Sequence, residues 1–213
     1  MKLYKCNKTV LRFYPKGPTF INGYTTNTVD ADQNVFADLQ GRIVAVVHQH
    51  KVSDDEMHIV VETPFVDRLT GHLRQYLALS DTTVVAMDNI KVFWDLESHR
   101  LVISDQALPA TVTEEEFTIY RVQNGIPLQG VDFDQEMVLN VAGEGLVSYT
   151  KGCYLGQEIV ARVHYRGRPP KRLALKYEED CDWEQRAQMT SAVIDPGNGQ
   201  RMGFVFDKTE GDV

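Results

Sequence analysis

Apolar and polar residues alternate in short blocks through the first half of the chain. Phe36–Leu39 and Arg42–Val52 flank the pair Gln40-Gly41, and the run Arg42-Ile43-Val44-Ala45-Val46-Val47-His48 is β-branched and mostly apolar. Ser53-Asp54-Asp55-Glu56 reads as a polar turn and Met57–Glu62 as a further strand, so the pattern predicts a three-stranded meander. After Pro64 the period changes. Phe65, Leu69, Leu73 and Tyr76 or Leu77 recur at helical spacing, which predicts a helix over 65–79. Thr82–Met87, Lys91–Leu96 and Arg100–Ser104 read as three more short strands.

A second helix begins at Thr113-x-x-Glu116, where hydroxyl and carboxylate satisfy each other's exposed backbone N–H groups. Gly125 and Pro127 stop it. A third helix is predicted from about Leu155 to Tyr165, with Ile159, Val160 and Val163 as its apolar face and Gly167-x-Pro169-Pro170 as its end. Arg172–Tyr177, Ala192–Ile194 and Met202–Phe206 then read as strands around Asp195-Pro196-Gly197-Asn198-Gly199. Strands and helices mix without strict alternation, so the fold class is α+β. The expected division is a main domain over 1–167 and a short barrel portion over 168–213.

Composition narrows the function classes. The 213 residues are 43% hydrophobic, enough for one sizeable core. No run of 18 or more apolar residues occurs, so no membrane partner is expected, and Met1–Cys6 lacks the apolar centre of a secretory signal; the expected location is cytoplasmic. A formal charge of −8 argues against direct nucleic-acid binding. Charge is unevenly placed: residues 151–177 hold seven Lys or Arg against one Glu, and 178–213 hold nine acidic residues against three basic. The basic stretch is either an anion site or a solvated face balanced by the acidic segment. Cys6, Cys153 and Cys181 fit neither a disulfide framework nor a four-cysteine cluster site. His48-x-His50 lacks a third ligand and Asp30-x-Asp32 lacks the rest of a calcium loop, so no metal site is expected.

The stretch that carries chemistry is Lys151-Gly152-Cys153-Tyr154-Leu155-Gly156-Gln157-Glu158. A thiol just before a helix, beside a lysine, is placed to favour thiolate, and Glu158 with Arg162 has the favourable order for a helix pair. The same features also fit a structural cysteine and a surface ion pair.

This stretch, followed by Val160-Ala161-Arg162 and Tyr165-Arg166-Gly167, resembles the K-G-C-Y-x-G-Q-E-x-x-x-R motif of YgfZ-type proteins, non-catalytic relatives of the glycine-cleavage T-protein. Asn22-Gly23-Tyr24-Thr25-Thr26-Asn27, Gln40-Gly41-Arg42, Gly125-Ile126-Pro127, and Thr190-Ser191 with Gly203-Phe204-Val205 are similar to further family segments in the same order, so the resemblance covers nearly the whole chain. It implies two intertwined lobes around a central folate channel with a small β-barrel appended. It also implies binding of tetrahydrofolate and a role in synthesis or repair of iron–sulfur proteins, with an effect on tRNA modification through such enzymes. The implied partners are a reduced folate and iron–sulfur client or assembly proteins. Cys153 is the implied functional thiol. Lys151, Tyr154, Gln157, Glu158 and Arg162 surround it, and Phe117 takes the place of an aromatic residue that lies against the folate. The chain departs from the family in lacking a proline after Gly125-Ile126-Pro127, at Asp134–Met137, and in ending at Val213, which leaves the barrel short or minimal. Two alternatives remain: a true aminomethyltransferase, for which Asp81, Asp88 and Asp95 are the nearest acids but lack a matching context, and a folate-independent scaffold.

Overall fold

A computed structural model describes residues 1–141, 144–167 and 169–209. Its centre is a five-stranded antiparallel sheet in the order β3-β4-β5-β2-β6, formed by β2 (Lys8–Tyr14), β3 (Gln33–Ala37), β4 (Ile43–Lys51), β5 (Met57–Glu62) and β6 (Thr83–Ala86). Both faces are covered, which explains the near-continuous apolar run in β4. On one face Leu11, Phe13, Val47, Ile59 and Val61 meet α1 (Gly17–Tyr24) and α2 (Val66–Leu77), whose Leu69 and Leu73 are fully buried one turn apart. On the other face Val10 and Val60 meet Val92 of a second sheet, β1-β7-β8, formed by β1 (Leu3–Lys5), β7 (Lys91–Asp95) and β8 (Arg100–Ser104).

The next helix, α3 (Glu114–Gln123), starts with the expected capping box: Glu116 N–H donates to Thr113 Oγ1 at 3.2 Å and Thr113 N–H to Glu116 Oε2 at 2.8 Å. Short α4 (Val138–Val141) and then α5 (Gln157–Arg166) follow. The C-terminal part is an open three-stranded sheet, β10-β11-β9, with β9 (Lys171–Tyr177), β10 (Thr190–Ile194) and β11 (Arg201–Lys208), and α6 (Trp183–Gln188) between β9 and β10. No closed barrel is present among the described residues. Leu173 and Phe206 of this sheet pack against the cluster of Val35, Ile43 and Val160, while Met202 and Phe204 pack on Val122 of α3. The C-terminal sheet therefore shares its core with the elements before residue 167.

A buried ionic joint holds α3 to that sheet. Arg121 Nη1 donates to Asp132 Oδ2 at 2.7 Å, and Ser191 Oγ on β10 contacts both Arg121 Nη2 and Asp132 Oδ1. Leu128 N–H also donates to Asp132 Oδ2, at 2.8 Å. Arg121 and Asp132 side chains are 4% and 0% exposed. The predicted strands and helices from residue 36 onward all occur, with shifted ends. β1, β2, α1, α4 and α6 are additional to the expectation.

Candidate functional site

The segment 144–156, a single 3-10 turn at Glu144–Leu146 followed by a loop, is clamped onto the end of α1 and the β3–β4 turn. Leu155 N–H donates to Gly23 O at 3.1 Å and Ser148 N–H to Thr26 O at 2.9 Å; Thr26 Oγ1 donates to Leu146 O at 2.7 Å and Asn27 Nδ2 to Gly145 O at 2.9 Å. Lys151 is spent on the same clamp. Its ammonium donates to Thr25 O and Asn27 O, both at 2.7 Å, and lies 5.2 Å from the centre of the Tyr154 ring. Burial pushes the Lys151 pKa down to about 8, and the two carbonyls favour its charged form. Tyr154 is buried, and the same burial raises its hydroxyl to about 12. Gly156 has φ +82 and lies against the backbone of the β3–β4 turn, where Gly41 (φ +71) in turn faces Val160 and Ile159 of α5. Three segments singled out by sequence, 22–27, 40–42 and 151–158, thus form one structural unit.

From this anchored loop Gly152 and Cys153 project into solvent, and Glu158 and Arg162 lie on the exposed side of α5. The helix begins at Gln157 with Gly156 as its cap, so Cys153 stands three residues outside the cap rather than in the first turn. Lys151 is directed into the clamp. The expected support of the thiol by the helix end and by Lys151 is therefore weaker than the spacing implied, and exposure is what distinguishes Cys153.

Phe117 belongs to a different place. Its ring stacks on Tyr4 at 4.0 Å with planes 6° apart, and Trp94 and Tyr120 lie 6.4 and 6.2 Å away. Trp94 Nε1 donates to Tyr120 Oη at 3.2 Å, and Tyr120 Oη pairs with His99 Nδ1 at 2.5 Å. Trp94 meets His48 edge-on at 5.7 Å; burial between the sheets pushes that imidazole down to about 3 and keeps it neutral. This aromatic wall lies where α3 and the β1-β7-β8 sheet face the central sheet. Gly41, beneath the Cys153 loop, and His48, beside the wall, are seven residues apart, about 23 Å of extended strand. The structure does not bring Phe117 together with Lys151, Tyr154, Gln157, Glu158 and Arg162.

Tyr4, Trp94 and Tyr120 were not legible as wall residues, because their partners are distant in sequence. The basic stretch is also largely consumed: Lys171 pairs with Glu136 at 2.6 Å and Lys176 with Asp207 at 2.9 Å. Arg162 and Arg172 remain exposed, while Arg168, the Arg166 side chain, Glu210 and Asp212 lie outside the described residues. Of the three candidate acids, Asp81 pairs with Lys16 and Asp95 accepts from Ser98 Oγ at 2.8 Å, leaving Asp88 nearer open space. Among the described residues no group of three or more His, Cys, Asp or Glu is arranged to hold a metal ion, and no helix is long and apolar enough to cross a membrane.

The three thiols differ enough for a direct prediction. Cys6 is partly buried, and burial pushes its pKa up to about 12; Cys181 is buried, and burial raises it more than Asp180 and Asp182 do, with Lys176 and Arg186 opposing. Trace alkylation with iodoacetamide at neutral pH is expected to label Cys153 first. Labelling of Cys6 or Cys181 at an equal rate, read by mass spectrometry, would contradict the burial described. Because Cys153 faces solvent, saturating tetrahydrofolate should leave its rate unchanged.

Comparison with known proteins gives a consistent likeness. No family model matches the chain. It is 29% identical over 171 residues to the mitochondrial iron–sulfur cluster assembly factor IBA57 of Mus musculus, covering 73% of this chain and 46% of that protein. It is 34% identical over 74 residues to the tRNA-modifying protein YgfZ of Edwardsiella ictaluri, covering 33% of this chain and 22% of the other. The chain thus spans less than half the length of these two relatives. In three dimensions it matches the glycine cleavage system aminomethyltransferase T of Bartonella henselae with a TM-score of 0.76 at 10% identity, over 97% of this chain and 78% of that one.

Proposed function

We infer that this chain, a relative of the YgfZ and IBA57 proteins built on the aminomethyltransferase fold, is a folate-binding accessory protein in the synthesis or repair of iron–sulfur proteins. The observation that carries the reading is the presentation of Cys153: an exposed thiol on a loop whose flanking residues, Lys151, Tyr154 and Gly156, are committed to holding the loop in place. A thiol displayed in this way is suited to meeting a protein partner, as a nucleophile or as a transient metal ligand. An effect on tRNA modification would follow through iron–sulfur enzymes rather than through contact with RNA, in keeping with the acidic charge. A cytoplasmic site of action belongs to the same reading.

The folate part rests on the fold and on the aromatic wall. Phe117, Trp94 and Tyr120 offer flat faces and edges of the kind that hold a planar heterocycle. A ring stacking on Phe117 at this position takes the place of Tyr4. Titration calorimetry with tetrahydrofolate is expected to give saturable binding, weakened by Phe117→Ala. Absence of heat and of any thermal shift at millimolar ligand would leave the folate-independent scaffold as the better reading. Reactivation of an oxidised iron–sulfur enzyme in an extract lacking this chain tests the other half: Cys153→Ser should lose the effect while retaining folate affinity. A variant as effective as the parent would remove Cys153 from the role.

A further inference from the structure

The central sheet ends on β6 with an open edge: β2 lies on one side of it, and among the described residues no strand lies on the other. The strand reads Thr83-Val84-Val85-Ala86, without the lysine, proline or inward charge that keeps edge strands apart. Val85 is 59% exposed, and Thr83 and Ala86 are exposed as well. Met87 N–H donates to Val10 O at 2.9 Å, in register with Ala86 opposite Leu11. Counting back by twos, Val85 and Thr83 also turn their backbone groups toward β2. Val84 and Ala86 therefore turn theirs outward, to the side where no strand of the described residues receives them.

These outward groups complement themselves. A second copy related by a two-fold axis would lay its own β6 alongside, antiparallel. Side chains then have to keep their faces, since a slip of one residue would set exposed Val85 against Val84, which packs on the core. Two registers about the strand centre satisfy this. One puts Val84 opposite itself and needs Thr82 to pair with Ala86, but Thr82 is buried and its N–H already donates to Ser80 Oγ at 3.2 Å. The other puts Val85 opposite itself, and the outward groups of Val84 and Ala86 then meet those of Ala86 and Val84 in the second copy. Charge agrees with this register. Asp88 comes opposite Thr82, and Asn89 opposite Asp81, so no like charges face each other directly. Lys16, held to Asp81 at 2.5 Å, stands at the end where the second copy's Asp88 arrives.

We propose that β6 is the interface of a homodimer, in which the two central sheets join edge to edge with Val85 on the two-fold axis. A four-residue strand from each copy covers less than the roughly 1,000 Å² of a durable interface, so the dimer is weak and forms at high concentration. Sedimentation equilibrium of the full chain should give monomer at about 1 μM and mostly dimer at about 500 μM. Val85→Lys and Val85→Glu alter an exposed side chain, so each should keep the fold by circular dichroism. Each alone should weaken dimerisation about fivefold or more, because like charges meet across the axis. Mixed in equal amounts, the two should associate at least as tightly as the parent chain. Val52→Glu, at a site 48% exposed on another part of the surface, should leave dimerisation unchanged. A parent chain still monomeric at about 500 μM would overturn the proposal. Dimers untouched by either Val85 variant would place the contact elsewhere, and equal weakening by Val52→Glu would reduce it to a general charge effect; both overturn the proposal. Loss in each single variant without recovery on mixing would remove Val85 from the axis, and the register with it.

Discussion

Asp132→Asn is expected to destabilise the chain by about 3–5 kcal/mol, the usual cost of leaving one member of a buried ion pair without its partner. Asparagine keeps the shape of the side chain and removes only the charge. Arg121 would remain 4% exposed, with its guanidinium facing a neutral amide. The carboxylate of Asp132 also accepts from Leu128 N–H and contacts Ser191 Oγ, so the loss reaches a turn and a strand as well as the helix. In urea the midpoint should fall by about 1 M or more. Ser191→Ala should cost less, since the ion pair survives it. Replacing the pair together, as Arg121→Met with Asp132→Leu, should recover part of the loss, because no uncompensated charge remains. A loss below about 1 kcal/mol for Asp132→Asn would mean that the joint is hydrated or open in solution. The joint also bears on the proposed ligand wall. Phe117 precedes Arg121 by one helical turn on α3, so loosening the arginine should loosen the ring that stacks on Tyr4.

What the sequence made legible, and what it hid, divides along the range of the interactions. The capping box at Thr113, the helical spacing of Leu69 and Leu73 and the β-branched run of β4 are local, and each occurs as read. The same capping rule would have found α6, where Asp182 and Gln185 form a second box. β2 was within reach too: Val10 faces one sheet interior while Leu11 and Phe13 face the other, yet Lys8 and Arg12 mask the apolar run. α1 carries Gly17, Pro18 and Gly23, residues that signal a turn; Phe20 and Ile21 hold it in helical form by burial against the central sheet. The candidate site was legible as a set of segments and not as a geometry. Nothing local to Lys151 points to the carbonyls of Thr25 and Asn27, 126 and 124 residues away. Proximity in sequence therefore suggested a lysine supporting the Cys153 thiol, whereas the fold uses it to fasten the loop. The pairing of Phe117 with Tyr4 is hidden for the same reason.

Gly156→Ala should be the most damaging change within the 151–158 segment, and Gly152→Ala, four residues earlier, close to neutral. A Cβ at Gly156 would stand 2.3 Å from Asp38 O, an approach that real side chains do not make, and the obstacle is backbone. The residue also has φ +82, where a non-glycine residue costs about 1–2 kcal/mol even in open space. At Gly152 an added Cβ meets nothing within 4 Å, and the backbone is not left-handed. Relief at Gly156 requires the β3–β4 turn or the start of α5 to move, and those elements bury Ile43 and Val160 in a shared cluster. The combined cost should be about 3 kcal/mol, a fall of roughly 6–12 °C in Tm for a chain of this size, against a shift too small to resolve for Gly152→Ala. The pair also separates anchoring from chemistry. If Gly156 serves to hold Cys153 at a fixed place for a partner, Gly156→Ala should lose iron–sulfur reactivation at temperatures where the chain is still folded, while the thiol remains as open to iodoacetamide as before. Folate affinity should be retained, since the Phe117 wall is built from other elements. Equal melting temperatures for the two alanine variants would show that the loop does not rest on Asp38 as described; full activity of a destabilised Gly156→Ala would show that the partner does not require the thiol to be held.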